Sequence, residues 1–196
     1  RIFPGGFLGV DVFIVISGYL MTSIILKEYQ TTQSFSFRNY YKRRIRRLLP
    51  ALLVVIFFTS IVSYIVLLPT HFEEFIKSVA ASIFFFSNFF FHFSGQAYGA
   101  QVLSEIPLLH TWSLSLEEQF YIVYPVALIG MIIYLKKHIK LILIIGILVS
   151  VIFASLVSIN HQSFNYYMLP SRAWEFFFGA LLGININQFN IIKNEK

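Results

Sequence analysis

Long apolar stretches separated by short polar or basic ones run through the whole chain. The stretches at 48–68 and 141–159 contain no charged residue, and the stretch at 7–26 contains one, Asp11. Because a helix rises about 1.5 Å per residue, about 20 apolar residues cross the roughly 30 Å hydrocarbon core of a bilayer. The pattern therefore predicts membrane-spanning helices.

Two more stretches reach this length although polar residues interrupt them. The stretch 112–135 carries two glutamates near its start, and 173–192 carries one glutamate and three asparagines. The apolar stretch at 79–93 is short for a spanning helix, and we expect it to be re-entrant or interfacial. The predicted fold class is all-α, a polytopic transmembrane helix bundle of about five spanning helices plus this one segment.

The composition agrees with a membrane protein and excludes several kinds of site. Hydrophobic residues make up 57% of the chain and charged residues 12%, against about a half and about a quarter in soluble domains. The absence of cysteine excludes disulfides and a thiolate nucleophile. The five histidines lack metal-site spacing, and no nucleotide-binding glycine motif is present. We therefore expect no metal, no bound cofactor and no nucleic-acid partner.

The net charge of +6 comes from one short segment, 27–47, which holds seven basic residues and one acidic residue. Lys and Arg mark cytoplasmic loops, so we predict that 27–47 and the basic loop 136–140 are cytoplasmic. The stretch 48–68 then runs outward, 112–135 provides the one crossing back to the cytoplasm, and 160–170 is external. In the alternative topology 136–140 lies outside and 79–93 crosses the membrane completely.

The same basic segment has a second interpretation, as an anion site. Arg44 and Arg47 are spaced i, i+3, so they share a helix face just before the apolar stretch. Two guanidiniums at the membrane boundary form a fork suited to phosphate. The ligand is either a lipid headgroup or a phosphorylated substrate, and a purely topogenic role stays open beside both.

Glutamates inside a predicted span are costly and point to function, at about 2.5–3.5 kcal/mol near the bilayer centre. Glu117 shares a helix face with three aromatic residues, whereas Glu118 points about 100° away. In the alternative interpretation Ser113 or Ser115 caps the helix, and both acids are favourable in its first turn. The three aromatic residues are Phe120, Tyr121 and Tyr124.

Charged residues also stand at the starts of the first and last spans. Asp11 shares a helix face with Gly18, a small residue that permits close helix approach. The simpler interpretation is that Asp11 caps its helix or reaches the interface. Arg172 and Glu175 are spaced i, i+3 and predict an ion pair within the membrane.

Four ordered blocks together resemble the acyltransferase 3 family of multi-pass membrane acyltransferases. The first block is FPGGFLGVDVF at 3–13 with ISGY at 16–19, where Ile14 replaces a usual Phe. The second is FRNYYKRRIRRLLP at 37–50, which is similar to the Arg-x-x-Arg element of the family. The other two are PLLHTWSLSLEEQFY at 107–121 and RAWEFFFG at 172–179.

This resemblance implies a reaction and its partners. Such enzymes transfer an acyl group, usually acetyl, from cytoplasmic acyl-CoA to a sugar hydroxyl across the inner membrane. The motif sequences most resemble those of the branch that acetylates lipopolysaccharide O-antigen, whose members often have a C-terminal SGNH domain. The implied partners are the lipid bilayer, acyl-CoA and a glycan or lipid-linked sugar. The chain 1–196 is then one partial transmembrane acyltransferase domain.

The resemblance also implies roles for single residues. The family's catalytic His lies on a first helix that would precede Arg1, so we expect this fragment to be inactive alone. Arg44 and Arg47, with Arg43, are expected to bind the donor. Glu117 and Tyr121 are expected to be catalytic, by orienting the base or acceptor and by donating a hydrogen bond. The expected structural or acceptor-side residues are Asp11, Ser17, Trp112, Arg172 and Glu175.

Two other functions remain as alternatives to the acyltransferase. A transporter or channel fragment is the first, because its charged residues would line a polar path. A structural membrane subunit whose basic segment binds anionic lipid is the second.

The predicted topology is testable by labelling, since the chain has no cysteine of its own. Three variants each carry one cysteine, at Ser34, His138 or His161. Intact cells that express each variant are treated with an impermeant thiol reagent. Only the cysteine at 161 should react. Labelling at 34 would reverse the orientation, and labelling at 138 would make 79–93 a full crossing.

Overall fold

The computed structural model describes residues 8–94 and 106–191, and in them every regular element is helical. The predicted all-α bundle is confirmed. A short 3₁₀ turn at Lys136–His138 precedes α6. The helices are α1 (Leu8–Thr32), α2 (Phe37–Val66), α3 (Pro69–Ile83), α4 (Ser87–Phe93), α5 (Thr111–Tyr134), α6 (Ile139–Ser158), α7 (Gln162–Tyr167) and α8 (Leu169–Ile191).

Within the described residues, four segments are long and apolar enough to cross a membrane: α1, α2, α5 and Lys136–Ser158. They correspond to four of the five predicted spans. The fifth, α8, forms a helix of 23 residues but is not among the four apolar segments. The apolar stretch 79–93, which we predicted to be re-entrant or interfacial, contains the end of α3 and the whole of α4. The two helices are separated at 84–86, where Phe85 adopts a positive φ of 57°.

The basic segment that we predicted as a loop is mostly helix. Only 33–36 separates α1 from α2, and the Ser36 hydroxyl caps α2 by accepting from the Asn39 amide at 3.4 Å. Pro50 lies well inside α2. Because proline has no N–H, the Arg46 carbonyl loses its usual helical donor. Hydropathy places the start of this span at the beginning of the apolar run, whereas the helix begins after the Ser36 cap and includes the predicted helical face of Arg44 and Arg47.

The described residues form two compact units, and the division falls within α5. The first unit contains 8–35, 120–165 and 169–191, and the second contains 36–94, 106–119 and 166–168. Each unit therefore holds one half of α5 and its own set of packed helices.

In the first unit α8 packs most extensively on α1 and next on α6. A Cβ atom at Gly18 would overlap the Phe176 carbonyl, and one at Gly179 would overlap the Val15 carbonyl. At Gly183, one turn later, a Cβ would lie 3.1 Å from the nearest α1 atoms. These glycines let the two backbones touch, as small residues spaced four apart do between membrane helices.

The contacts of the first unit also fix the directions of its helices. Gly18 contacts Phe176, and the later residue Thr22 contacts the later residue Gly183. Residue numbers therefore increase in the same direction along the two helices, so α1 and α8 are parallel. The second half of α5 runs the same way, because Phe120 stacks on Phe176 and Tyr124 hydrogen-bonds Thr22. Parallel α1, α5 and α8 are the relative directions that the predicted topology gives to these three spans.

The helix α6 runs opposite to α8. Ser150 donates to the Pro170 carbonyl at 2.7 Å and accepts from the Trp174 amide at 3.0 Å, whereas the earlier residue Gly146 faces the later Phe177. The outer face of α6 is apolar and exposed, as a lipid-facing helix requires. Its exposed residues include Leu141, Ile145, Leu148, Val149 and Ile152.

In the second unit a polar stripe on α5 holds the broken helix α3–α4. Thr111 and Ser115 lie one turn apart and are buried. The Thr111 hydroxyl bonds the Ser82 hydroxyl at 2.8 Å, and the Ser115 hydroxyl bonds that of Ser87 at 2.6 Å. Ser115 also accepts from the Ser87 amide at 3.2 Å, which satisfies a helix-start donor of α4.

Gln119, one further turn along α5, completes the stripe. Its Nε2 donates to the Phe85 carbonyl at 3.0 Å and to Asn88 Oδ1 at 2.8 Å. Asn88 is fully buried and donates in turn to the Tyr167 carbonyl at 3.2 Å. The break between α3 and α4 is thus a hydrogen-bonded structure, which a segment surrounded by hydrocarbon needs.

The glycine contacts between α1 and α8 predict a stability effect. Gly179→Ala and Gly18→Ala should each destabilise the protein by about 1–3 kcal/mol, because the new methyl group meets backbone that must move. The measurement is the apparent melting temperature of the detergent-solubilised protein.

Gly9→Ala on the same helix α1 is the matched control, because nothing lies within 4 Å of its Cβ position. Its melting temperature should not fall. An unchanged melting temperature for Gly179→Ala would show that the two helices do not rely on close approach.

Candidate functional site

The best-defined polar contact of the second unit joins α2 to α5. Arg44 Nε donates to both carboxylate oxygens of Glu118, at 2.8 and 2.9 Å, and Nη2 donates to Oε1 at 2.5 Å. The exposed fractions of the two side chains are 24% and 11%. This is a charge-assisted fork of the strong kind. Glu118, which we expected to point away from the site, is thus the partner of a predicted donor-binding residue.

The other basic residues predicted to bind the donor lie on the same part of α2. Arg43 and Arg47 have exposed side chains. Arg47 follows Arg44 by three residues and so shares its helix face. The Glu118 carboxylate thus orients the Arg44 guanidinium, and the exposed Arg47 guanidinium lies on the same helix face. Both arginines lie in the basic part of α2, before its apolar part.

The two glutamates of α5 do not take part in helix capping. The helix begins at Thr111, so Glu117 and Glu118 lie in its second turn, and Ser115 is occupied by its bond to Ser87. The capping interpretation is therefore wrong. Glu117 is 3% exposed, a buried carboxyl as the functional interpretation requires.

Trp112, the other predicted residue in this block, is an aromatic packing residue. It is buried and lies against Tyr166 and Tyr167, with ring centroids 4.7 and 5.6 Å apart. These are packing contacts, and the expected structural or acceptor-side role of Trp112 stays a prediction.

Three charged residues meet in the first unit. Arg172 Nη2 contacts Asp11 Oδ1 and lies 3.2 Å from Glu175 Oε1. The predicted Arg172–Glu175 pair is confirmed, and Asp11 joins it from α1 rather than only capping that helix or facing the interface. The exposed fractions are 35% for Asp11, 11% for Arg172 and 3% for Glu175. Two carboxylates thus share one guanidinium.

The remaining predicted residues of the first unit are buried. Tyr121 on α5 lies edge-on to Phe176, with ring centroids 6.5 Å apart. Ser17 on α1 is 6% exposed, next to the close-packing Gly18. Among the residues that the structure describes, no cluster of three His, Cys, Asp or Glu is suited to a metal ion.

Sequence reasoning missed two kinds of contact: the ion pairs between residues far apart in the sequence, and the polar stripe on α5. The Arg44–Glu118 and Asp11–Arg172 pairs join residues 74 and 161 positions apart. A single chain offers no periodic signal for such pairs. The α5 stripe did have a signal, since Thr111, Ser115 and Gln119 recur every four residues between apolar ones.

The charged trio of the first unit predicts unequal costs of substitution. Arg172→Gln should cost about 3–5 kcal/mol, because it leaves two carboxylates near each other without a cation. Asp11→Asn should cost clearly less, since Arg172 keeps Glu175. Apparent melting temperatures of the two purified variants measure the difference.

The exposed pair of Lys77 and Glu73, 2.8 Å apart on α3, provides the control. Glu73→Gln should leave the melting temperature unchanged, because exposed ion pairs contribute little. Equal losses for Arg172→Gln and Asp11→Asn would contradict the shared-cation arrangement.

Comparison with known proteins identifies the family. The family model described as an acyltransferase domain matches residues 2–191. "Putative peptidoglycan O-acetyltransferase YrhL" of Bacillus subtilis (strain 168) is 38% identical over 186 residues, covering 92% of this chain and 29% of that protein. "Putative O-acetyltransferase SACOL0978" of Staphylococcus aureus (strain COL) is 41% identical over 137 residues, covering 70% and 22%.

A third relative, an "Uncharacterized protein" of Haemophilus influenzae, is 35% identical and is covered over 78% of its length. No solved structure matches the chain significantly. The chain spans less than a third of the two named relatives, at 29% and 22% of their lengths. With a family model matched over 2–191 and four helices able to cross a membrane, the chain belongs to the acyltransferase 3 family of multi-pass membrane proteins.

Proposed function

We propose that the protein is a membrane O-acyltransferase that moves an acetyl group from acetyl-CoA to a sugar hydroxyl of a cell-surface glycan. The observation that carries the proposal is the family match over 2–191. The names of two relatives, both O-acetyltransferases, support the acetyl group. Family membership also disfavours the transporter and the structural-subunit alternatives. The membrane in question is the inner, cytoplasmic membrane.

Two glycans are candidates for the acceptor. The motif wording is closest to the lipopolysaccharide O-antigen branch, whereas the name of the Bacillus relative specifies peptidoglycan. Both acceptors present sugar hydroxyls on the far side of the membrane from cytosolic acetyl-CoA. The proposal therefore commits to the sugar hydroxyl and leaves its glycan to the assay below.

The donor end is the basic part of α2. Coenzyme A carries several phosphates, and charge-assisted bonds from guanidiniums to phosphate are strong. Arg47 and Arg43 are exposed, and Arg44 is held by Glu118 on the same helix face as Arg47. The topogenic role of these residues is compatible with donor binding, since both place the segment in the cytoplasm.

The chemistry needs little from the protein because a thioester is already activated. The acceptor oxygen attacks the thioester carbonyl, the C–S bond breaks, and the hydroxyl proton passes through a base to the leaving coenzyme A thiolate. The base is proposed to be the histidine that the family resemblance implies. Glu117 is proposed to orient that base or the acceptor, and Tyr121 to donate a hydrogen bond to the developing oxyanion.

The acceptor site is proposed to involve the charged trio of Asp11, Arg172 and Glu175 in the first unit. The carboxylates of Asp11 and Glu175 accept hydrogen bonds, and sugar hydroxyls donate them. Asp11 is the most exposed of the three, with 35% of its side chain accessible. Asp11 is therefore the member proposed to meet the acceptor.

Arg47→Ala tests the donor site most cleanly in the protein expressed from its complete gene. Arg47 is exposed, whereas Arg44→Ala would also leave the buried Glu118 without its cation. The KM for acetyl-CoA should rise about 10- to 100-fold, since a charge-assisted bond contributes about 1.5–3 kcal/mol. Transfer of radiolabelled acetyl groups to purified O-antigen or peptidoglycan measures it and identifies the acceptor.

Arg38→Ala and Lys42→Ala remove exposed charges from the same segment and serve as controls. Their KM values should stay near that of the wild type. Arg47→Lys should recover part of the loss, because lysine keeps the charge but not the planar fork. An unaltered KM for Arg47→Ala in correctly inserted protein would leave the segment as topogenic only.

A further inference from the structure

Glu118 is the residue whose contacts the proposed reaction does not yet explain. Its carboxylate engages the Nε–Nη2 edge of Arg44 with three hydrogen bonds of 2.5–2.9 Å. This side-on geometry fixes the plane of the guanidinium as well as its position. Three of the five guanidinium N–H groups lie outside this fork, and their directions are set by it.

The carboxylate is itself held by a rigid support. Thr111, Ser115 and Gln119 anchor the first part of α5 to α3 and α4 through side-chain hydrogen bonds. Glu118 lies next to the last of these anchors and is 8% exposed. An arginine on its own has several rotatable bonds, so a fixed carboxylate removes most of its freedom.

We propose that Glu118 is a positioning residue of the donor site, whose carboxylate aims the Arg44 guanidinium, together with Arg47, at the phosphates of coenzyme A. The proposal rests on the donor site proposed above. Pre-orientation lets Arg44 bind phosphate without a further loss of side-chain freedom. The function of Glu118 is thus exerted through Arg44 and does not include contact with the reacting atoms.

Two acetyl donors distinguish a positioning role of Glu118 from a role in stabilising the fold alone. Acetyl-CoA carries the nucleotide phosphates, and S-acetylpantetheine carries the same thioester without them. Glu118→Gln keeps the size of the side chain but loses its charge and one acceptor oxygen. In the protein expressed from its complete gene, we expect its KM for acetyl-CoA to rise on the order of tenfold. Its KM for S-acetylpantetheine and for the glycan should not change.

Glu118→Asp and the exchange Arg44→Glu with Glu118→Arg keep the test decisive if Glu118→Gln folds poorly. Both retain an opposite-charge pair, so their melting temperatures should stay near the wild type. Both move the guanidinium, so the KM for acetyl-CoA should still rise. Glu73→Gln, in the exposed pair with Lys77, is the matched control and should change neither donor KM.

Each outcome decides a different claim. If Glu118→Gln raises the KM for both donors equally, or the charge exchange restores the KM for acetyl-CoA, the pair is structural and the inference is wrong. If Arg47→Ala leaves the KM for acetyl-CoA unchanged, the donor site itself is wrong. A loss for Arg47→Ala without a loss for Glu118→Gln retains the donor site and removes Glu118 from it.

Discussion

Hydrocarbon offers no hydrogen-bond partners, so each polar group inside a membrane bundle must find one within the protein. This constraint explains the polar contacts of both units. A stripe of Thr111, Ser115 and Gln119 satisfies the broken segment between α3 and α4. The charges are handled in the same way, since Arg44 pairs with Glu118 and Arg172 with two carboxylates. Residues that look functional in the sequence therefore also support the fold.

Close packing decides where the charges of the first unit meet. Gly18 and Gly179 each lie seven residues after a charged partner, Asp11 and Arg172, and both pairs of positions are separated by 161 residues. Parallel helices in contact at the glycines therefore carry the carboxylate and the guanidinium to the same level two turns earlier. The ion pair depends on the glycines, because a larger side chain would move the helix that carries Arg172.

Local patterns in the sequence were enough for the helices but not for their partners. Hydropathy predicts the four apolar spans, and i, i+3 spacing predicts the Arg172–Glu175 pair, because both signals lie within one helix. The partners of Asp11 and Arg44 depend on which helices are neighbours, which spacing does not encode. The start of α2 was misplaced for a related reason: the basic residues before Leu48 continue its helix, and hydropathy does not distinguish a polar helix from a loop.

The Arg44–Glu118 pair and the charged trio differ in the ratio of cations to carboxylates, and this difference is relevant to their proposed roles. Arg44 and Glu118 match one to one, which leaves an oriented but neutral pair, so the proposed phosphate recognition there depends on geometry and on the charge of Arg47. The trio of Asp11, Arg172 and Glu175 carries one carboxylate in excess. A buried excess charge is costly unless a hydrogen-bond donor or a proton compensates it. A sugar hydroxyl meets that requirement and an anion does not, which supports the proposal that α2 binds the donor and the trio the acceptor.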